Sequence, residues 1–191
     1  MPAAFAVDLA QLYAYTQARG PWDVVTVGFL TSTYIHMGRE YFLESSIKQG
    51  ATHVLWLDTD MTFPRETAVI LAMHDTTMVA ANYVTRDGTH RWTARRDGQP
   101  VATTPESTGL EVVDGVGFGV LLMRVEIMPG LTRPWFRHGL NEHGGDIGED
   151  LMCCHKIRQG GHEIYIDHDL SKEVGHIGQT TYRIQTESVP A

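Results

Sequence analysis

The sequence predicts an α/β fold with a mostly parallel central sheet. Two observations carry this. Apolar runs of strand length alternate with segments of helical periodicity over residues 5–84. In addition, residues 51–57 (ATHVLWL) are apolar almost throughout, the pattern of a strand buried on both faces. With 191 residues, 42% hydrophobic and 9% aromatic, the chain suffices for one domain over 1–191 with a sizeable core.

The elements follow in order. Residues 5–18 have apolar positions at helical spacing and end at Arg19-Gly20-Pro21. Residues 23–30 (DVVTVGFL) form a β-branched run of strand length. Residues 36–49 read as a helix with Met37, Tyr41, Leu43 and Ile47 inward and Gly50 as its stop. The strand at 51–57 is expected at the centre of the sheet; Asp58-Thr59-Asp60, Phe63-Pro64 and a helix over 65–74 come next. Residues 78–84 are a third strand. Asp87-Gly88 and Asp97-Gly98 mark hairpins within 85–113. An apolar strand, VLLMRV, follows the glycines of 114–119. Residues 137–148, rich in Gly and His, read as a loop. A helix over 149–159 stops at Gly160-Gly161, and a last strand at 163–167 leads to a polar tail containing Gly175-His176-Ile177-Gly178.

The charge narrows the function. Fifteen Lys and Arg against 23 Asp and Glu give a net −8, so the chain lacks the broad cationic face that coating a polyanion needs. A surplus of carboxylates suits a divalent cation. No apolar run reaches the ~20 residues of a membrane span. The start carries no basic segment followed by a long apolar stretch, so no secretory leader is read and a cytoplasmic location, in a bacterium or infected host cell, is expected. Cys153 and Cys154 are adjacent, a spacing that suits neither an ordinary disulfide nor a zinc knuckle, and are read as buried thiols.

Three groups of residues could carry chemistry. Asp58 and Asp60 alone are weak evidence, since 12 Asp in 191 residues give about 0.7 such pairs by chance. Their place after a buried strand is where open α/β sheets bind ligands, and there they could hold Mg²⁺ or Mn²⁺ against phosphates; helix capping is the plainer role. The second spaced pair, Asp167 and Asp169, reads as a strand-to-turn transition. Glu149 and Asp150 open a helix, where the positive helix end favours an ionised carboxylate suited to a general base. His176, between glycines, is an imidazole that a backbone could bring close to a ligand.

In combination these stretches resemble the GT-A type of nucleotide-sugar glycosyltransferase, in particular its small virus- and bacterium-associated members. The resemblance spans about residues 22–180 and rests on THVLWLDTDMTFP, DGVGFGVLLM, RPWF, GEDLMCCHKIRQGGHEIYID and GHIG. It implies a GT-A-like fold of three layers, α/β/α, and a hexosyl- or pentosyltransferase that uses Mn²⁺ or Mg²⁺ and a nucleotide-diphosphate sugar as donor. Asp60 would then be a direct metal ligand, Asp58 a ribose contact or water-mediated ligand, and His176 the late metal ligand. Asp150 matches the base of an inverting enzyme, with Glu149 orienting it or touching the acceptor. Arg39, Tyr83 and Arg86 correspond to donor-side contacts. Gly115 to Gly119, with Gly117 at their centre, would floor the sugar site, and Trp135 with Phe136 would offer a ring platform. The family opens with a strand that holds the nucleobase, ahead of the helix read at 5–18. This sequence starts almost on that helix, so either that strand is absent, the gene start is internal or the version is a shortened one, and the donor's base is left open.

The implied acceptor is a hydroxyl on a glycan, a protein or a modified DNA base. Residues 86–96 (RDGTHRWTARR) hold four Arg against one Asp, a local excess that could steer a nucleic acid. A solvated hairpin with Arg stems over apolar surface is the alternative. Two other functions compete: a nucleotidyltransferase-like phosphoryl enzyme, for which no Gly-rich basic phosphate loop is found, and a non-catalytic nucleotide- or sugar-binding module.

Overall fold

The computed structural model describes residues 1–86, 89–141 and 143–178, and the backbone of 181–183. In chain order the elements are α1 (Ala3–Arg19), α2 (Ile35–Lys48), β1 (His53–Leu57), β2 (Met61–Thr62), α3 (Thr67–Met73), β3 (Met78–Ala81), β4 (Arg95–Arg96) and β5 (Gln99–Pro100). They continue with β6 (Leu110–Val113), β7 (Val120–Arg124), a 3₁₀ turn at Val125–Gly130, β8 (Gly139–Leu140), β9 (Asp146–Ile147), α4 (Glu149–Gln159), β10 (Ile164–Asp167), α5 (His168–Glu173), β11 (Gly175–Ile177) and β12 (Thr181–Arg183).

The fold is mixed α/β. Its main sheet has five strands in the order β1-β7-β3-β10-β6. Only β3 and β10 pair in parallel; the other three pairings are antiparallel, so the expected mostly parallel sheet is corrected to a mixed one. The reason lies in the connections. No helix crosses over between β6 and β7, and β7 returns alongside β1 and β3 after the glycines of 114–119. Alternate side chains go to opposite faces. On one face Trp56, Met78, Ala80, Leu121, Met123, Ile164 and Ile166 bury against Leu43 of α2 and Cys153, Cys154 and Ile157 of α4. On the other, Val79, Ala81, Val120 and Leu122 meet Phe5 and Leu12 of α1, Leu71 of α3 and Leu170 of α5. Both cysteines are buried free thiols, and burial pushes their pKa values up, Cys154 to about 12.

Three further expectations change. β1 is an edge strand rather than a central one. Asp58 N–H donates to Gly119 O and Val125 N–H to Thr52 O, so even-numbered residues face β7 and the backbones of His53, Leu55 and Leu57 face outward. Residues 23–30 join no sheet among the described residues, with Val24 75% and Phe29 63% exposed. They run along α2, where Gly28 lies under Phe42 and Leu30 over Gly38. A β-branched run becomes a strand only where a ladder partner is in reach. The inward face of α2 is also rotated: Arg39 and Leu43 are buried, whereas Met37 and Tyr41 are 59% and 71% exposed.

The turn chemistry holds up well. Asp97 and Gly98 both have positive φ, 49° and 73°, which joins β4 to β5 in a two-residue hairpin; Asp87-Gly88 lies outside the described residues. The 137–148 stretch contains the short β8–β9 ladder. The tail instead begins with α5, capped by Asp167, whose carboxylate accepts from Leu170 N–H and lies 2.7 Å from His74 Nε2. Asp169 accepts from Gly109 N–H at 2.8 Å. The Asp167 and Asp169 pair therefore serves the turn, as its sequence suggests.

Among the described residues, no helix is long and apolar enough to cross a membrane.

Candidate functional site

Asp58, at the end of β1, and Asp60, just ahead of β2, are joined to residues from remote parts of the chain. The short sheet β2–β11 sets His176 opposite Met61, and Ile177 N–H donates to Asp60 O at 2.6 Å. His176 Nε2 thereby stands 3.4 Å from Asp60 Oδ2. Its Nδ1 lies 2.9 Å from Val84 O, which assigns the Nδ1 proton to that carbonyl and turns Nε2 toward Asp60. Arg86 Nη1 is 2.8 Å from the same Asp60 oxygen.

Electrostatics follow from these contacts. Asp60 has a lowered pKa, chiefly through its hydrogen bond to His176, with Arg86 adding to it. For His176 burial opposes the charged ring, but the bonds to Asp60 and Val84 O prevail and its pKa is raised. Asp58 goes the other way: burial raises its pKa, reinforced by Asp60 and Glu149 and opposed by Arg39.

Arg39 links the two halves of the site. Its Nη2 donates to Asp58 Oδ1 at 3.0 Å and its Nη1 to Glu149 Oε1 at 2.9 Å. The guanidinium is 7% exposed and lies over the Phe118 and Trp56 rings at 5.2 and 6.0 Å. In this structure Arg39, expected at the donor, is an internal clasp between two carboxylates.

Glu149 opens α4 beside Asp150. The Asp150 carboxylate accepts from Leu151 N–H at 2.8 Å, yet burial outweighs this and raises its pKa. The helix end does not hold Asp150 at the ordinary carboxylate value, as its position alone implies; it sits nearer the range useful to a base. His138 Nε2 is 3.8 Å from Glu149 Oε2, and the His36 ring packs edge-on against His138 at 5.4 Å. The sequence marks 137–148 as a loop but offers nothing to single out His138.

The remaining candidates are mostly supports. Tyr83 is 7% exposed; its hydroxyl accepts from Gly119 N–H at 3.1 Å and its ring meets His176 at 5.4 Å. It lies beneath the site and is corrected from a donor contact to a prop. A Cβ on Gly117 would come 2.5 Å from Tyr83 Oη, and one on Gly119 2.7 Å from the same hydroxyl. The need for glycine here is set by Tyr83, not by a sugar above. Trp135 and Phe136 are 4% and 1% exposed, so they offer no ring platform; Phe136 packs on Trp56 and Phe118 in the core. In the basic hairpin Arg86 is committed to Asp60, and Arg96 to Glu111 and Val112 O, which reduces the local excess of charge.

As a metal set, Asp60 and His176 supply a carboxylate oxygen and an imidazole nitrogen at one point. Asp58 is turned to Arg39, and among the described residues no three His, Cys, Asp or Glu side chains form a metal-holding group.

No protein-family model and no curated protein matches this chain. Among solved structures, the crystal structure of A197 from STIV matches it with a TM-score of 0.59 at 16% identity, covering 95% of this chain and 90% of that one. That similarity is one of fold.

Proposed function

We propose that this chain is a metal-dependent glycosyltransferase that moves a sugar from a nucleotide-diphosphate sugar to an acceptor hydroxyl, with inversion. The observation that carries the reading is convergence. Asp58, Asp60, Glu149, Asp150 and His176 are spread over more than 100 residues, yet ion pairs and mutual fields join them at one end of β1. Capping helices one by one would not require them to meet.

Asp60 and His176 would hold the cation, with diphosphate oxygens completing its shell. The imidazole ligand favours Mn²⁺ over Mg²⁺. When bound, such a cation neutralises charge on the departing diphosphate. Asp58, held by Arg39, would face the donor's ribose or a bound water. Asp150 removes the acceptor hydroxyl proton, and the burial that raises its pKa makes it a stronger base than an ordinary carboxylate. Glu149, fixed by Arg39 and adjacent to His138, orients the acceptor. That hydroxyl attacks the anomeric carbon opposite the leaving diphosphate. A glycan, protein or modified DNA base could carry it.

The test is a screen of nucleotide sugars for hydrolysis or transfer with and without Mn²⁺, run on the wild type and on Asp60→Ala. The expected result is Mn²⁺-dependent consumption of one donor that Asp60→Ala abolishes. Undiminished turnover by a folded Asp60→Ala variant would overturn the metal-centred scheme.

A further inference from the structure

Among the described residues two arginines touch the site carboxylates, and they are held very differently. Arg39 is 7% exposed and bonded to two carboxylates, so it cannot leave without opening the core. The Arg86 side chain is 53% exposed. Its Nη1 rests 2.8 Å from Asp60 Oδ2 and 3.3 Å from Ile177 O. That carboxylate oxygen is also the one 3.4 Å from His176 Nε2. A cation held by His176 Nε2 and the Asp60 oxygen nearest to it would engage the oxygen that Arg86 now holds. An ion pair whose arginine is exposed to solvent costs little to break. A released guanidinium is a planar fork that matches phosphate oxygens.

We propose that Arg86 is a displaceable counter-cation: it neutralises Asp60 in the metal-free site and moves to the donor's diphosphate when the metal binds. The inference rests on the glycosyltransferase reading above and adds a two-position residue to it. It makes two ligands respond in opposite directions to one substitution. Without Arg86 the metal has no competitor for Asp60, and the diphosphate loses a partner.

The experiment measures Mn²⁺ binding by electron paramagnetic resonance and pyrophosphate binding at saturating Mg²⁺ by calorimetry. It compares wild type, Arg86→Ala, and Arg95→Ala as a control that removes one charge from the same hairpin. Arg86→Ala is expected to bind Mn²⁺ at least threefold more tightly and pyrophosphate at least threefold more weakly, with Arg95→Ala within twofold of wild type for both. If wild type binds Mn²⁺ and Arg86→Ala binds it equally or less well, the displacement is wrong while the metal site stands. Equal effects from Arg95→Ala reduce the result to general charge and also overturn it. If neither wild type nor Arg86→Ala binds Mn²⁺, the metal-dependent reading itself falls. Circular dichroism checks folding, and Arg86→Gln, which keeps the stem, is read in place of an Arg86→Ala that fails to fold.

Discussion

Replacing Arg39 with methionine keeps most of the stem that packs on Phe118 and Trp56 and removes the charge that joins Asp58 to Glu149. Removing one partner of a buried ion pair costs about 3–5 kcal/mol, because the other charge is left uncompensated. An exposed pair contributes about 0–1 kcal/mol. Glu149 is 12% exposed and belongs to the first case; Asp58, at 43%, is closer to the second. Arg39→Met should therefore lose about 3–4 kcal/mol, most of it through Glu149. The loss should depend on pH. Arg39 opposes the upward shift of Asp58, so its removal raises that pKa further. A carboxylate with a raised folded pKa costs stability once the pH exceeds its unfolded value, and the cost is complete above the folded one. The deficit of Arg39→Met should thus be largest near neutrality and shrink toward pH 4. Urea denaturation followed by circular dichroism measures both. The double variant Arg39→Met/Glu149→Gln, which removes the stranded charge, should recover about half of the loss. A loss below about 1 kcal/mol at pH 7.5, or no recovery in the double variant, would refute the clasp.

Two other outcomes follow from the same site. Burial raises the Asp150 pKa, so donor transfer should fall on acidification with a midpoint above the ordinary carboxylate range, and Asp150→Asn should abolish transfer. By the same sign argument Asp150→Asn should be more stable than wild type at pH 7, the gap closing toward pH 4; a less stable variant at pH 7 would contradict burial as the cause. Gly119→Ala sets a methyl 2.7 Å from the Tyr83 ring and should cost about 1–3 kcal/mol of unfolding free energy. In a Tyr83→Ala background the added cost should nearly vanish, and an equal cost in both backgrounds would show that Tyr83 is not what the glycine accommodates.

Much of the chain could be read from local pattern. Helix periodicity and stop signals located α1, α2 and α4, and the apolar runs located β1, β3, β7 and β10. The Asp-Gly pair placed the β4–β5 turn, because positive φ at two successive positions is a local steric demand. Asp58, Asp60, Glu149 and Asp150 were legible as candidates for a similar reason, each standing at the end or start of an element, and His176 stood out by its place between glycines. What a residue faces was not legible. Met37 and Tyr41 fit an inward stripe on α2, yet the helix turns Arg39 inward, because its partners Asp58 and Glu149 lie 19 and 110 residues away. Trp135 resembled a platform and is buried, while Tyr83 resembled a ligand contact and supports two glycines instead.

The sequence by itself determined where α1 to α4 and the main-sheet strands β1, β3, β7 and β10 lie, and which carboxylates stand at their ends. Propensity, capping and hydrophobic period act over a few residues, and those are all present in the local string. Only the tertiary structure decided that β1 is an edge, that one strand pairing in four is parallel, and that residues 23–30 lie outside the sheet. It alone turned Asp58 toward Arg39 and Asp60 toward His176 and Arg86. Ladder partners, burial and ion pairs depend on which distant segment arrives alongside, and burial by that segment is what raises the pKa values of Asp58 and Asp150 while its partners lower that of Asp60.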